Sequence, residues 1–211
     1  GTMPSLGAGA HLVAVADANG CTVDCTVTVV LPALPTISLP PDTVVALGST
    51  LRIEAVTNLA TWSSLVWQPL PDPSCPDCLV QEWTPEDFQQ ITVTITDTFG
   101  CTASARIRVS VKKDVELYVP NALHPNSGIG NDVWRVNAGT SVALLREVAV
   151  FDRWGNLLYQ WNTPIPPNDW PGWDGTTRGQ KAGPGVYVYY LKVVLADGTE
   201  EVVAGDVTVF D

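Results

Sequence analysis

Along most of this chain apolar and polar residues alternate with a period of two. The pattern is clearest at Val93-Thr94-Ile95-Thr96, at Arg106-Ile107-Arg108-Val109 and in two long runs, Val186–Leu195 and Glu200–Phe210. Successive strand side chains point to opposite faces, so this period predicts half-buried β-strands. In the last run Val203, Val207 and Val209 share one face, while Asp206 and Thr208 share the other. Gly, Pro, Asn and Asp separate the runs. Ala18-Asn19-Gly20 and Asp197-Gly198 carry residues that accept the positive φ of tight hairpins. A weak helical signal covers Thr84–Gln90, with Thr84 as cap and Pro85 at the first helical position, and predicts one turn at most. The expected fold class is all-β.

The pattern also repeats itself. Val13-Ala14-Val15-Ala16-Asp17-Ala18-Asn19-Gly20-Cys21-Thr22 is similar to Val93-Thr94-Ile95-Thr96-Asp97-Thr98-Phe99-Gly100-Cys101-Thr102, at an offset of 80 residues. Such an offset is about one small β-sandwich. Residues 32–112 are therefore expected to be a complete repeat, and residues 1–31 the terminal hairpin of a repeat before it. Lys112-Lys113-Asp114 marks a junction too short for a flexible linker, which predicts that residues 113–211 form a second domain set end to end with the first.

Composition supports folded domains. The 211 residues are 45% hydrophobic and 16% charged, and no apolar run reaches the roughly 18 residues of a spanning helix. Net charge is −11, with 4 basic and 10 acidic residues up to Lys112 and 7 basic and 12 acidic after it. Phosphate binding needs clustered Lys and Arg, so nucleic acid is excluded as an expected partner, and solubility accounts for the charge. No signal peptide is visible, and Gly1-Thr2-Met3 reads as a cloning remnant.

There are five cysteines, Cys21, Cys25, Cys75, Cys78 and Cys101, so at least one has no partner within the sequence. For Cys75-Pro76-Asp77-Cys78 three readings compete. A redox site needs a helix start in a βαβ context, which is missing, and zinc needs two further ligands at unfamiliar spacing. A local disulfide needs only an oxidising compartment and is favoured. Cys21 and Cys25 lie four residues apart in a strand pattern, roughly 13 Å at about 3.3 Å per residue, too far to pair. Cys21 and Cys101 hold matching repeat positions and are expected to be small buried residues. Trp67 is expected to pack in a core rather than offer a sugar-stacking face.

Residues 32–112 resemble the immunoglobulin-like or PKD-like repeats of large surface adhesins. The matching features are Trp67-Gln68-Pro69, the Cys75–Cys78 pair, Ile91–Asp97 and Gly100-Cys101. After them come, in order, Tyr118-Val119-Pro120-Asn121, Pro125-Asn126, Asn131-Asp132, Phe151-Asp152-Arg153-Trp154-Gly155, Gly172-Trp173-Asp174-Gly175, Gly185-Val186-Tyr187-Val188-Tyr189, Ala196-Asp197-Gly198-Thr199 and Phe210-Asp211. This series resembles the C-terminal domain of gliding-motility-associated and adhesin proteins of Bacteroidetes-type bacteria, the type B sorting signal of the type IX secretion system. The resemblance implies two consecutive immunoglobulin-like antiparallel β-sandwiches after the N-terminal hairpin. It makes Pro125, Asn126, Asn131, Asp132, Arg153, Trp154, Gly155, Trp173, Asp174, Gly175, Gly185, Tyr187, Asp197, Gly198 and Phe210 the signal motif. It further implies recognition in the periplasm, outer-membrane components of the type IX system as partners, including a dedicated outer-membrane partner protein, and a secreted or cell-surface destination without membrane insertion. The last strand, ending at Phe210-Asp211, is expected to leave a sheet edge open for strand addition.

Two alternatives bear on chemistry. The family's Asp-rich loop invites calcium, but its middle Asp is Gly128 here, and side chains of Asn and Asp bonding backbone amides explain the turn without metal. An exposed row of Trp161, Trp170 and Trp173 would suit a carbohydrate- or host-surface-binding adhesin module; a structural turn at Trp173-Asp174-Gly175 is favoured. Arg153 over Trp154 is expected as a cation–π pair. Neither His11 nor His124 sits in a nucleophile or metal motif, and no P-loop, dinucleotide fingerprint or His-Glu-x-x-His occurs. No enzyme activity, cofactor or metal is expected.

Overall fold

The computed structural model describes residues 7–31, 33–125, 127–128 and 130–211. Residues Gly1-Thr2-Met3 and Asn126, both singled out above, lie outside them. Strands make up 52% of the chain and helix 1%.

The chain opens on a hairpin of β1 (Gly9–Ala16) and β2 (Thr22–Val29), which pairs with no other described strand. Next come β3 (Ile37–Ser38), β4 (Thr43–Ala46), β5 (Leu51–Glu54), β6 (Val56–Thr57), β7 (Ser64–Gln68), β8 (Val80–Trp83), β9 (Gln89–Thr96) and β10 (Thr102–Lys112). They form a sandwich. One layer has the order β4-β10-β9-β7, with β4 parallel to β10, and the other consists of the pairs β3-β6 and β5-β8. Alternation dictates its core. Ile91, Val93 and Ile95 from β9 and Ile107 and Val109 from β10 are fully buried, and Trp67 packs beside them.

The repeat is exact in register. All eight residue pairs of β1-β2, from Gly9↔Val29 to Ala16↔Thr22, recur 80 residues later between β9 and β10. Asp17 and Asp97 build the same turn, each accepting from the amides two and four residues on. That turn corrects the expectation for Cys21 and Cys101, which are exposed and free. Each cysteine closes the turn with its amide on the Asp carboxylate, so its side chain leaves the hairpin end rather than entering the core. The predicted helical turn at Thr84–Gln90 is also absent. Gln89 and Gln90 are taken into the β9 ladder by Val109 and Arg108, which leaves the preceding residues as loop.

The second sandwich contains β11 (Leu117–Tyr118), β12 (Ala122–Leu123), β13 (Asn137–Ala138), β14 (Val142–Phe151), β15 (Leu157–Trp161), a 3-10 turn at Pro167–Asp169, β16 (Thr176–Thr177), β17 (Gln180–Lys181), β18 (Gly185–Leu195) and β19 (Glu200–Val209). Its main sheet has the order β12-β19-β18-β14-β15. The facing layer is β11-β13 continued by a bridge between Trp134 and Trp173. The final strand keeps the expected open edge over residues 200–207 among the described residues, and only its end is covered. Ala122 and Leu123 pair with Thr208 and Val209, and the Phe210 amide donates to the Leu123 carbonyl at 2.8 Å.

In the first sandwich the Cys75–Cys78 sulfurs are bonded, with Cα atoms 5.4 Å apart. The fully buried Gln81 holds that loop. Its amide nitrogen donates to the carbonyls of Cys75 and Cys78 at 2.9 and 3.1 Å, and its Oε1 accepts from the Asp72 amide at 3.0 Å. Gln81→Leu keeps the volume but leaves these partners unsatisfied. It should destabilise the first sandwich by about 1–3 kcal/mol in urea unfolding, and an unchanged midpoint would contradict this role for Gln81.

A candidate recognition pole

Strand direction sorts the predicted motif residues to the two ends of the second sandwich. Phe151 pairs with both Leu157 and Val188, Gly185 pairs with Val209, and Leu123 pairs with Val209. The turns after Phe151 and before Gly185, the loop after Leu123, and Phe210 therefore share one end, the distal pole. At the opposite end Val142 pairs with Leu195, and the Ala196 amide donates to Ser141 at 3.0 Å. Asp197 and Gly198 lie at that proximal pole, away from the rest of the series.

The distal pole rests on buried tryptophans. Trp134, Trp170 and Trp173 are at most 2% exposed. The indole of Trp173 donates to the Thr176 carbonyl at 2.8 Å, and its ring meets Tyr187 at 5.9 Å. Trp161 is half-buried and donates to the Thr163 carbonyl. The sugar-stacking row is thereby excluded, because two of its three rings are core. Asp174 caps the turn, accepting from the Thr176 amide and hydroxyl at 2.9 and 2.7 Å. Gly175 follows at φ +77°, and a Cβ there would stand 2.7 Å from Pro125 Cγ. Positive φ and this close approach both demand glycine. They lock the Trp173-Asp174-Gly175 turn against the loop that begins at Pro125.

That loop uses Asp132 as its anchor. One carboxylate oxygen accepts from the Gly128 amide at 2.8 Å and the Ser127 hydroxyl at 3.2 Å, while the His124 amide donates to the Asn131 carbonyl at 2.8 Å. The Gly128 amide, with the Ser127 hydroxyl, holds the Asp132 carboxyl below its ordinary pKa despite partial desolvation. These bonds fit an amide-held turn.

The Phe151–Gly155 segment turns β14 into β15. The Asp152 carboxylate accepts from the amides of Trp154 and Asn156 at 2.9 and 2.8 Å and from the Asn156 side chain at 2.7 Å. With Asp152 so engaged, Arg153 and Trp154 project outward. The guanidinium carbon lies 5.0 Å from the Trp154 ring centre, and the ring remains 76% exposed. Beside them a cleft of about 240 Å³ is lined by Leu158, Thr177, Lys181 and Tyr187. Tyr187 donates to the Gly183 carbonyl at 2.7 Å and fixes the cleft wall. Phe210 closes the pole at 52% exposed, 6.5 Å from His124 between ring centres. The arrangement offers a rigid, mixed aromatic and cationic surface. Sequence reasoning named Arg153, Trp154 and Tyr187 but missed Lys181, which no motif marks; its place opposite Arg153 arises only because β17 folds back onto β16.

Comparison with known proteins bears on this sandwich. Residues 117–209 match the CHU_C type IX secretion signal domain. No curated protein sequence matches the chain. Solved structures similar to it include the tetra-tandem repeat in the extending region of a large adhesion protein (14% identity, TM-score 0.39, covering 93% of this chain and 55% of that one). Another is dimeric latent PorU from Porphyromonas gingivalis (16% identity, TM-score 0.32, covering 78% and 18%). A third is the N-terminal eight Ig domains of Down Syndrome Cell Adhesion Molecule (11% identity, TM-score 0.37, covering 96% and 30%). The chain thus spans little more than half of the first and less than a third of the other two.

In the second sandwich Asp152 is held below its ordinary pKa, chiefly by the Asn156 side chain and then by the amides from which it accepts. A depressed carboxyl stabilises the turn above its unfolded pKa of about 3.9 and loses that contribution as pH falls through the lower folded value. Acidification from pH 6 to below about 3.9 should therefore shift the Trp154 and Asn156 amide resonances, with the midpoint below 3.9. Asp152→Asn should keep the neutral-pH turn and abolish the shift. An identical titration in the variant would assign it to another group.

Proposed function

We propose that this chain is the non-catalytic C-terminal region of an exported bacterial protein, and that its signal domain is read as a folded unit by the type IX secretion system. The observation that carries this reading is the family match over residues 117–209, the span in which most of the described motif residues, though not Asp197 and Gly198, gather at one pole. The partners are outer-membrane components of that system, including a dedicated outer-membrane partner protein, and the destination is the surface or the medium. No helix among the described residues is long and apolar enough to cross a membrane. The reading surface is the distal pole: Trp154 with Arg153, the cleft beside them, and Phe210. Exposed Trp and Arg are the side chains that most often anchor protein interfaces.

The same reading takes residues 32–112 as an immunoglobulin-like repeat of the cargo and β1-β2 as the last hairpin of a further repeat. The copied register supports this. So does exposure: Val15 and Val27 are 54% and 45% exposed, while their counterparts Ile95 and Ile107 are fully buried by the layer opposite.

A periplasmic reporter fused to residues 1–211 should reach the surface or medium in a bacterium with the type IX system, and stay in the periplasm when the translocon is inactivated. Trp154→Ala should lower export without moving the unfolding midpoint, since the ring is not part of the core. Export that is indifferent to the translocon would overturn the function. Full export of the variant would remove the distal pole as the reading surface.

A further inference from the structure

The proximal pole of the signal domain is occupied by the first sandwich. The turn between β4 and β5, Leu47-Gly48-Ser49, leaves its own domain, and Leu47 is fully buried in the core cluster of the signal domain. Gly48, at φ +77°, sits so tightly against the Thr140 main chain that a Cβ would clash with its carbonyl, and Ala196 lies behind it. The Thr140 hydroxyl donates to the Leu47 carbonyl at 3.2 Å and lies 3.3 Å from the Ser49 hydroxyl. The Leu47 amide donates to the Lys112 carbonyl at 2.9 Å, so the last residue of β10 braces the same turn. Lys113 then bridges the two bodies, 2.6 Å from Asp87 of the first sandwich and 2.8 Å from Asp197 of the signal domain. The Asp197 side chain is only 5% exposed, and its other oxygen accepts from the Thr199 amide and hydroxyl.

We propose that the Leu47-Gly48-Ser49 turn is the built-in occupant of a socket formed by the 139–141 and 196–199 turns, so that repeat and signal domain form one rigid body that presents only the distal pole. The occupant is thus a segment of an immunoglobulin-like repeat, and the socket takes an apolar side chain followed by a glycine. Asp197-Gly198 belongs to this junction and not to the surface read by the export machinery. The last clause rests on the secretion reading; the docking does not.

Two measurements on the full chain test it. In wild type, ¹⁵N relaxation should give a single correlation time and tensor for β3–β10 and β11–β19. In Leu47→Asp the two sandwiches should tumble separately, and amide exchange in the 139–141 and 196–199 turns should rise at least about tenfold, while Ile91, Val93, Leu191 and Val193 stay protected. Independent tumbling in wild type refutes the socket whatever the variant does, including a variant that fails to fold. So does a folded variant whose turns exchange at the wild-type rate. Rigid tumbling with no type IX export of the reporter would preserve the socket and refute the secretion reading, so the two can fail separately.

Discussion

The second sandwich depends on one reciprocal contact. The Trp134 amide donates to the Trp173 carbonyl at 2.8 Å, and the Trp173 amide returns the bond to Trp134 at 2.9 Å. The five-stranded sheet needs a cover for its inner face, where Val148, Val150, Leu191 and Val193 are fully buried. The opposing layer has only two-residue strands, too short to supply that cover. The tryptophan bridge supplies it, because each indole buries roughly 150–250 Å². The Trp134 ring packs 5.8 Å from Trp170 and 5.1 Å from Tyr189, and its N–H is satisfied by the Pro120 carbonyl at 2.7 Å. The loop after Leu123 and the Trp173-Asp174-Gly175 turn both meet this bridge, so their geometry is set by a core contact.

This explains which parts of the fold were legible in the sequence. Period-two alternation places side chains on a face; it located β18 and β19 within one residue and the inner parts of β9 and β10. The 80-residue echo was legible for the same reason, since copied alternation and a copied Asp-Gly turn produce a copied register. Alternation does not name a strand's neighbour. Ala122-Leu123 is two residues long and carries no strand pattern, so its pairing with the end of β19 was invisible, while the open edge along the rest of that strand was legible. Cys101 followed the same limit: its position beside a strand suggested burial, whereas the Asp97 turn decides where the strand stops and the side chain escapes.

The candidate site was legible as turn chemistry. Asp132, Asp152 and Asp174 each organise a loop by accepting neighbouring donors, which is what short acidic side chains after a strand are suited to do. Their spacing does not reveal that three such turns converge, because convergence comes from strand direction over long separations. Nor does composition distinguish a tryptophan that fills a core from one that faces solvent. Trp170 and Trp173 are buried, whereas Trp154, on a turn fixed by Asp152, is not.

Leu47 was the least legible residue of all. Its stretch reads as an ordinary strand and turn, and its hydrogen-bond partner Thr140 lies 93 residues away. The forces at that junction are unequal. Lys113 is over a third exposed and Asp87 mostly so, and solvent screens a pair of that kind, whereas the Asp197 side chain is only 5% exposed. Burying a leucine side chain is worth about 1.5–3 kcal/mol. The apolar insertion therefore outweighs the screened Lys113–Asp87 pair at this junction. The charges add a tie between the two sandwiches, since Lys113 reaches Asp87 and Asp197 together. Two sandwiches joined by a buried side chain and a shared lysine give up their relative freedom when the chain folds.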